Sequence, residues 1–174
     1  MKLSRIERVM IYNQFKILEK LYPDEAESYA ERAEVVENGY ELHYDWIFEH
    51  IGEERVDEEM SREILDTLAM FEAIQDAMGR GDAAEFESVK HFAKFHGYDG
   101  NNENAYSAYA EFFCRSNGGR YQHLNIKEWN AHMPTVDAYR RMVQEYKASA
   151  DEHRLSSEDV IRICQAAVHP ENRK

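Results

Sequence analysis

Apolar residues recur along this chain at spacings of three and four, and no stretch of useful length alternates strictly. That is the period of helices with one buried face, not of strands. The first 21 residues carry it most densely. Ser4 and Glu7 form a capping-box pattern, and Ile6, Met10, Ile17 and Leu21 share one face. Val9, Ile11, Phe15 and Leu18 widen that face considerably. So broad an apolar surface predicts a helix at the centre of the fold or at a subunit interface. Tyr22-Pro23 ends it.

The same period predicts the rest. Asp24 is placed to cap a second helix to about residue 37, with Tyr29, Ala33 and Val36 as its stripe and Asn38-Gly39 as its stop. A short helix over 44–51 carries Trp46, Ile47 and Ile51. Asp57 caps a long helix over 57–78 through Met60, Ile64, Leu68, Phe71 and Met78. A helix over 83–95 presents Phe86, Val89 and Ala93, and one over 103–115 turns Ala105, Tyr109, Phe112 and Phe113 inward. Pro134-Thr135 opens a helix with Val136, Tyr139, Val143 and Tyr146 on its face. Ser156 and Asp159 form a last capping box ahead of Val160, Cys164 and Ala167. The expected fold is all-α, a single compact domain of seven or eight helices over residues 1–174, with no internal repeat.

Composition sharpens this picture. With 43% hydrophobic residues, 11 Tyr and 8 Phe, the chain has a core to build. Eight Gly and three Pro are too few for a sheet protein with many hairpins. The net charge of −13 is unevenly placed: residues 1–21 carry +3, residues 22–60 carry −12 and residues 61–174 carry −4. The acidic segment would repel a phosphate backbone, which argues against nucleic acid as a partner. It reads as a solvated face, with a docking surface for a basic protein as the alternative. Cys114 and Cys164 lie in apolar helical patterns outside any CxxC, as buried reduced thiols do. The N-terminus lacks an uninterrupted apolar h-region, and no apolar run is long enough to span a bilayer. The expected location is the cytoplasm.

In order along the chain stand ERVMIYNQFKILEKL, VENGY, HGYDGNNENAY, GGRYQHLN, WNAHMPTVDAYRRM and HRLSSEDVIRI. Through these stretches the chain resembles the YfbU family of bacterial proteins over nearly its whole length. HIGEERVDEE and the tail after Ala167 match least well. The resemblance implies an all-helical fold and self-association, so a homo-oligomer is expected. It brings no activity, no cofactor and no catalytic residue set.

The candidate chemistry is sparse. HGYDGNNENAY has the oxygen ligands of a calcium loop in Asp99, Asn101 and Glu103. However, Asn104 stands where such a loop needs Gly and Ala110 where it needs a bidentate Glu. A hinge explains it better: Gly97 ends one helix, Asp99-Gly100 turns, and Asn101 or Asn102 caps the next helix. His43, Asp45 and His50 with Glu49 and Glu53 offer mixed metal ligands only because that segment is acidic throughout. Gly118-Gly119-Arg120 lacks phosphate-loop spacing. One irregular region, residues 116–132, does collect the raw materials of a site: Arg120 to pair an anion, His123 and His132 to titrate, Asn130 to orient. Tyr98 and Asp99 are possible further ligand contacts. The structural alternative is that these groups satisfy buried helix ends. Two weaker readings remain: buried amides at Asn13-Gln14, and the loose Arg…His spacing of HEPN-type ribonucleases at Arg162 and His169. The favoured function is a non-enzymatic, self-associating protein; the alternative is a small-molecule binder or hydrolase with a pocket around 116–132.

Overall fold

The computed structural model describes residues 2–48, 51, 56–116, 120–121, 124 and 126–172. Among the described residues it is all-α, with seven α-helices and no strand. Its contacts group into two compact units, Met1–Glu54 and Arg55–Lys174, and each is described by itself.

The first unit is a helical hairpin. Helix α1 (Arg5–Leu21) opens on the predicted capping box: Ser4 Oγ accepts from Glu7 N at 3.3 Å, and Glu7 Oε2 accepts from Ser4 N at 2.7 Å. Helix α2 (Ala26–Asn38) runs back along it. Asp24 does not cap α2; it lies in a 3-10 turn, Pro23–Glu25, that Pro23 starts. Gly39 takes φ +72 and ends α2 as a left-handed cap. Arg8 then crosses from α1, and its Nε donates to Val36 O at 2.7 Å while Nη2 donates to Glu37 O. A cation thus satisfies the last carbonyls of α2, where the helix dipole favours positive charge. Helix α3 (Tyr44–Phe48) adds Tyr44 and Ile47 to a small core with Phe15, Ala33 and Val36. Asn13 and Gln14 are exposed, not buried.

The second unit is built on α4 (Glu58–Arg80). Asp57 accepts from Met60 N at 2.8 Å, and Ile64, Leu68, Phe71 and Ile74 are buried along one face. Around it pack α5 (Asn104–Ser116), α6 (Val136–Lys147) and α7 (Ser157–Gln165). All four residues expected on the face of α6 are buried, with Met142 beside them. The Ser156/Asp159 capping box of α7 is formed. Phe95 sits at the middle of an aromatic cluster, with ring centroids 5.5 Å from Phe71 and Tyr98 and 5.6 Å from Tyr139. Two expectations fail. Phe112 points outward. Residues 83–95 form a 3-10 turn, Ala83–Phe86, followed by further turns, not an α-helix.

Candidate functional site

The two irregular segments meet. Tyr98 pairs with Asn130 as an isolated parallel bridge: Tyr98 N donates to Trp129 O at 2.9 Å and Ala131 N donates to Tyr98 O at 2.8 Å. Glycine makes the approach feasible. Gly97 has φ +86, and a Cβ there would lie 2.2 Å from Trp129 O. At Gly100 a Cβ would lie 2.8 Å from Asn130 Nδ2.

Side chains lock this junction. Asn130 Oδ1 accepts from Gly100 N at 3.0 Å and from His132 N at 2.9 Å. His132 is held at φ +56, a left-handed conformation uncommon for a residue with a Cβ. Asp99 is buried and makes an Asx turn, accepting from Asn101 N at 3.0 Å and from the Asn102 amide. Those bonds, then the nearby His132, hold its carboxyl below the ordinary carboxylate value. The residue that joins most of this is Glu103. Its carboxylate accepts from Asp99 N (2.9 Å), Thr135 N (2.9 Å) and Val136 N (2.9 Å). It therefore caps α6 from 32 residues away. The Thr135 hydroxyl lies 3.0 Å from Glu103 Oε2 and 3.1 Å from Gly97 O, and donates to one of them. Tyr139 Oη donates to Gly97 O at 3.1 Å, and burial pushes its pKa up to about 12. Burial also raises Tyr98, whose hydroxyl lies near Thr67 but closes no hydrogen bond among the described residues.

Beside the junction lies a cleft of about 360 Å³ in which Asn130 and His132 face His91, Lys94 and His96. The His91 and His96 ring centroids are 4.8 Å apart, and His96 Nε2 lies 2.9 Å from His91 O. Phe92, Met133 and Met142 give it apolar walls. So Asn130 and His132, read from the sequence, do share a cleft. Tyr98 and Asp99 lie behind it in the supporting junction. Arg120 is exposed, stacked 5.3 Å over the Tyr121 ring, and is not among the cleft's lining residues. His123 lies outside the described residues. Sequence reasoning missed His91 and His96, since five positions apart on a helix they would face apart; turns bring them together.

The other readings are placed as follows. Among the described residues, no group of three or more His, Cys, Asp or Glu is arranged to hold a metal. Glu49, His50 and Glu53 lie outside those residues, as do Gly118 and Gly119. Arg162 is engaged by Glu145, Ser149 and Asp159 at 2.6–3.1 Å, while His169 faces Glu171. Both thiols are poor nucleophiles, burial raising Cys114 to about 11 and Cys164 to about 12.

With this geometry in hand, two comparisons place the chain. The YfbU domain matches residues 1–166. The chain belongs to the YfbU family. A UPF0304 protein from Methanocaldococcus jannaschii is 30% identical over 171 residues, covering 94% of this chain and 99% of the relative. The YfbU match therefore takes in both units and the Gly97–Thr135 junction alike.

One further feature lies in the first unit. Helix α1 buries Phe15 against α2 and α3 with Ile11, Tyr12 and Leu18 beside it. Its opposite side stays apolar: Ile6, Val9, Met10, Ile17 and Leu21 are each 52–74% exposed. Tyr22, just beyond the helix, is exposed as well. No helix of the described residues is long and apolar enough to cross a membrane.

Proposed function

We propose that this YfbU-family chain is a non-enzymatic, self-associating protein that acts through protein contacts. The outer face of α1 carries the reading. Five large aliphatic side chains on one helix, left in water on the side away from its own core, form the kind of contiguous patch that marks an interaction surface. The raised Cys114 and Cys164 pKa values favour structural thiols over nucleophiles, in keeping with a reducing cytoplasm. Glu27, Glu31 and Glu34 stand exposed on α2 and suit a basic protein partner. Light scattering at tens of micromolar tests the proposal: a mass above 20.5 kDa supports it and monomer alone refutes it.

A second reading rests on the cleft, where three histidines and Lys94 outnumber the one carboxylate, Glu128, around a volume fit for a small anion. A thermal-shift screen with phosphorylated and carboxylated metabolites tests it. A stabilising hit that His132→Ala abolishes supports ligand binding; no hit sinks it.

A further inference from the structure

The outer face of α1 reads the same from both ends. Ile6 and Leu21 stand equally far from the point between Asn13 and Gln14, and so do Met10 and Ile17. At 3.6 residues per turn these four fall within about 60° of one another, and Val9 widens the arc to about 120°. Such an order suits a two-fold contact, in which residue i meets j and j meets i.

We propose that two copies of this chain pair antiparallel through α1, about a two-fold axis at Asn13 and Gln14. Ile6 of one copy meets Leu21 of the other, and Met10 meets Ile17. This rests on the self-association reading above and names its surface. Antiparallel pairing opposes the two helix dipoles. It also sets the exposed amides of Asn13 and Gln14 across the axis, where they can bond to each other. A polar position inside an apolar seam fixes register.

The area agrees with a real but weak dimer. A fully buried aliphatic side chain removes about 60–120 Å² from water on the usual area scale. The five aliphatic side chains, each 52–74% exposed, then supply on the order of 550 Å² of apolar surface across two copies. At the apolar share of about 65% typical of homodimers, the interface is roughly 850 Å². That is the size of a small, transient contact, so weak association, micromolar or weaker, is expected.

Cysteine cross-linking of the full chain tests the arrangement. Helices at ordinary packing distance put the two Asn13 Cα atoms about 5–7 Å apart at the axis, within disulfide reach. The two Ile6 Cα atoms would lie about 22 Å apart along the seam. Under mild oxidation at tens of micromolar, Asn13→Cys should form covalent dimer at least tenfold faster than Ile6→Cys. Ile6→Cys/Leu21→Cys should match Asn13→Cys, with wild type as the blank for Cys114 and Cys164. Ile6→Cys cross-linking as fast as Asn13→Cys would mean parallel pairing and overturn the proposal. No cross-link from any variant, with wild type still above monomer mass by light scattering, would overturn this surface alone. Monomeric wild type would overturn both this and the self-association reading.

Discussion

Glu103 offers the sharpest test of how the second unit holds together. Alanine in its place strips the acceptors from three backbone N–H groups, those of Asp99, Thr135 and Val136, all at buried residues. A buried donor left unsatisfied costs about 1–3 kcal/mol, less where water enters. Loss of a carboxylate at the α6 N-terminus adds about 0.3–1 kcal/mol. The Thr135 hydroxyl is spared, since it can turn to Gly97 O. The expected loss is roughly 3–6 kcal/mol, a fall of about 6–24 °C in melting temperature for a chain of this length. Glu103→Gln keeps one acceptor oxygen but turns an NH₂ toward N–H donors, so about half of that loss is expected. Urea unfolding gives the free energies. Hydrogen exchange over residues 134–140 locates the effect, which should centre on the first turn of α6. Glu103→Ala within 1 kcal/mol of wild type, with unchanged exchange there, would refute the capping argument.

Other positions give further tests by thermal unfolding. Gly97→Ala combines φ +86 with a Cβ 2.2 Å from Trp129 O, and should cost more than about 3 kcal/mol; full stability would contradict the junction. Gly79→Ala, in the last turn of α4 with nothing within 4 Å of the new Cβ, should instead gain about 0.5–1 kcal/mol. Tyr98→Phe removes an unbonded buried hydroxyl, so stability should hold or rise by up to about 1 kcal/mol; a loss above that would mean the hydroxyl has a partner. Asp99 has a lowered folded-state pKa. Its contribution is therefore present above the unfolded aspartate value of about 3.9 and is lost as pH falls through the lower folded value. The stability gap between wild type and Asp99→Asn should begin to close below about pH 5 and shrink further as pH falls, and a constant gap would refute it.

Local signals in the chain did specify much of this fold. Both capping boxes, the Asp57 cap, the Gly39 stop and the inward face of α6 follow from residues within a few positions of one another. The errors arose where a local pattern fits two structures. Phe86, Val89 and Phe92 repeat at three, which a 3-10 path satisfies as well as a helix does. Of the bonds found there, Val89 N to Phe86 O and Phe92 N to Val89 O are of that tighter kind, and Ala93 N to Val89 O closes a single α-type turn. Once 83–95 is read as a helix, His91 and His96 point apart, and the cleft they share with His132 disappears from view. Asp24 failed as a cap because Pro23 begins a 3-10 turn that takes it in. Glu103 has an ordinary place at a helix start; its partners Thr135 and Val136 are more than 30 residues away, beyond any periodic signal. The breadth of apolar surface on α1 was legible, and its division between an inner and an outer face became visible only once α2 was set against Phe15.

Self-association through α1 is the central claim, and sedimentation equilibrium on wild type and Met10→Glu/Ile17→Glu tests it most directly. Both positions are more than half exposed, so the charges should leave the fold of the first unit intact, as circular dichroism would show. Two glutamates per copy in an apolar seam place four like charges together and should abolish pairing. The account predicts wild type heavier than 20.5 kDa at tens of micromolar and a folded variant at monomer mass. Wild type at monomer mass throughout, or a variant that associates as wild type does, would contradict it.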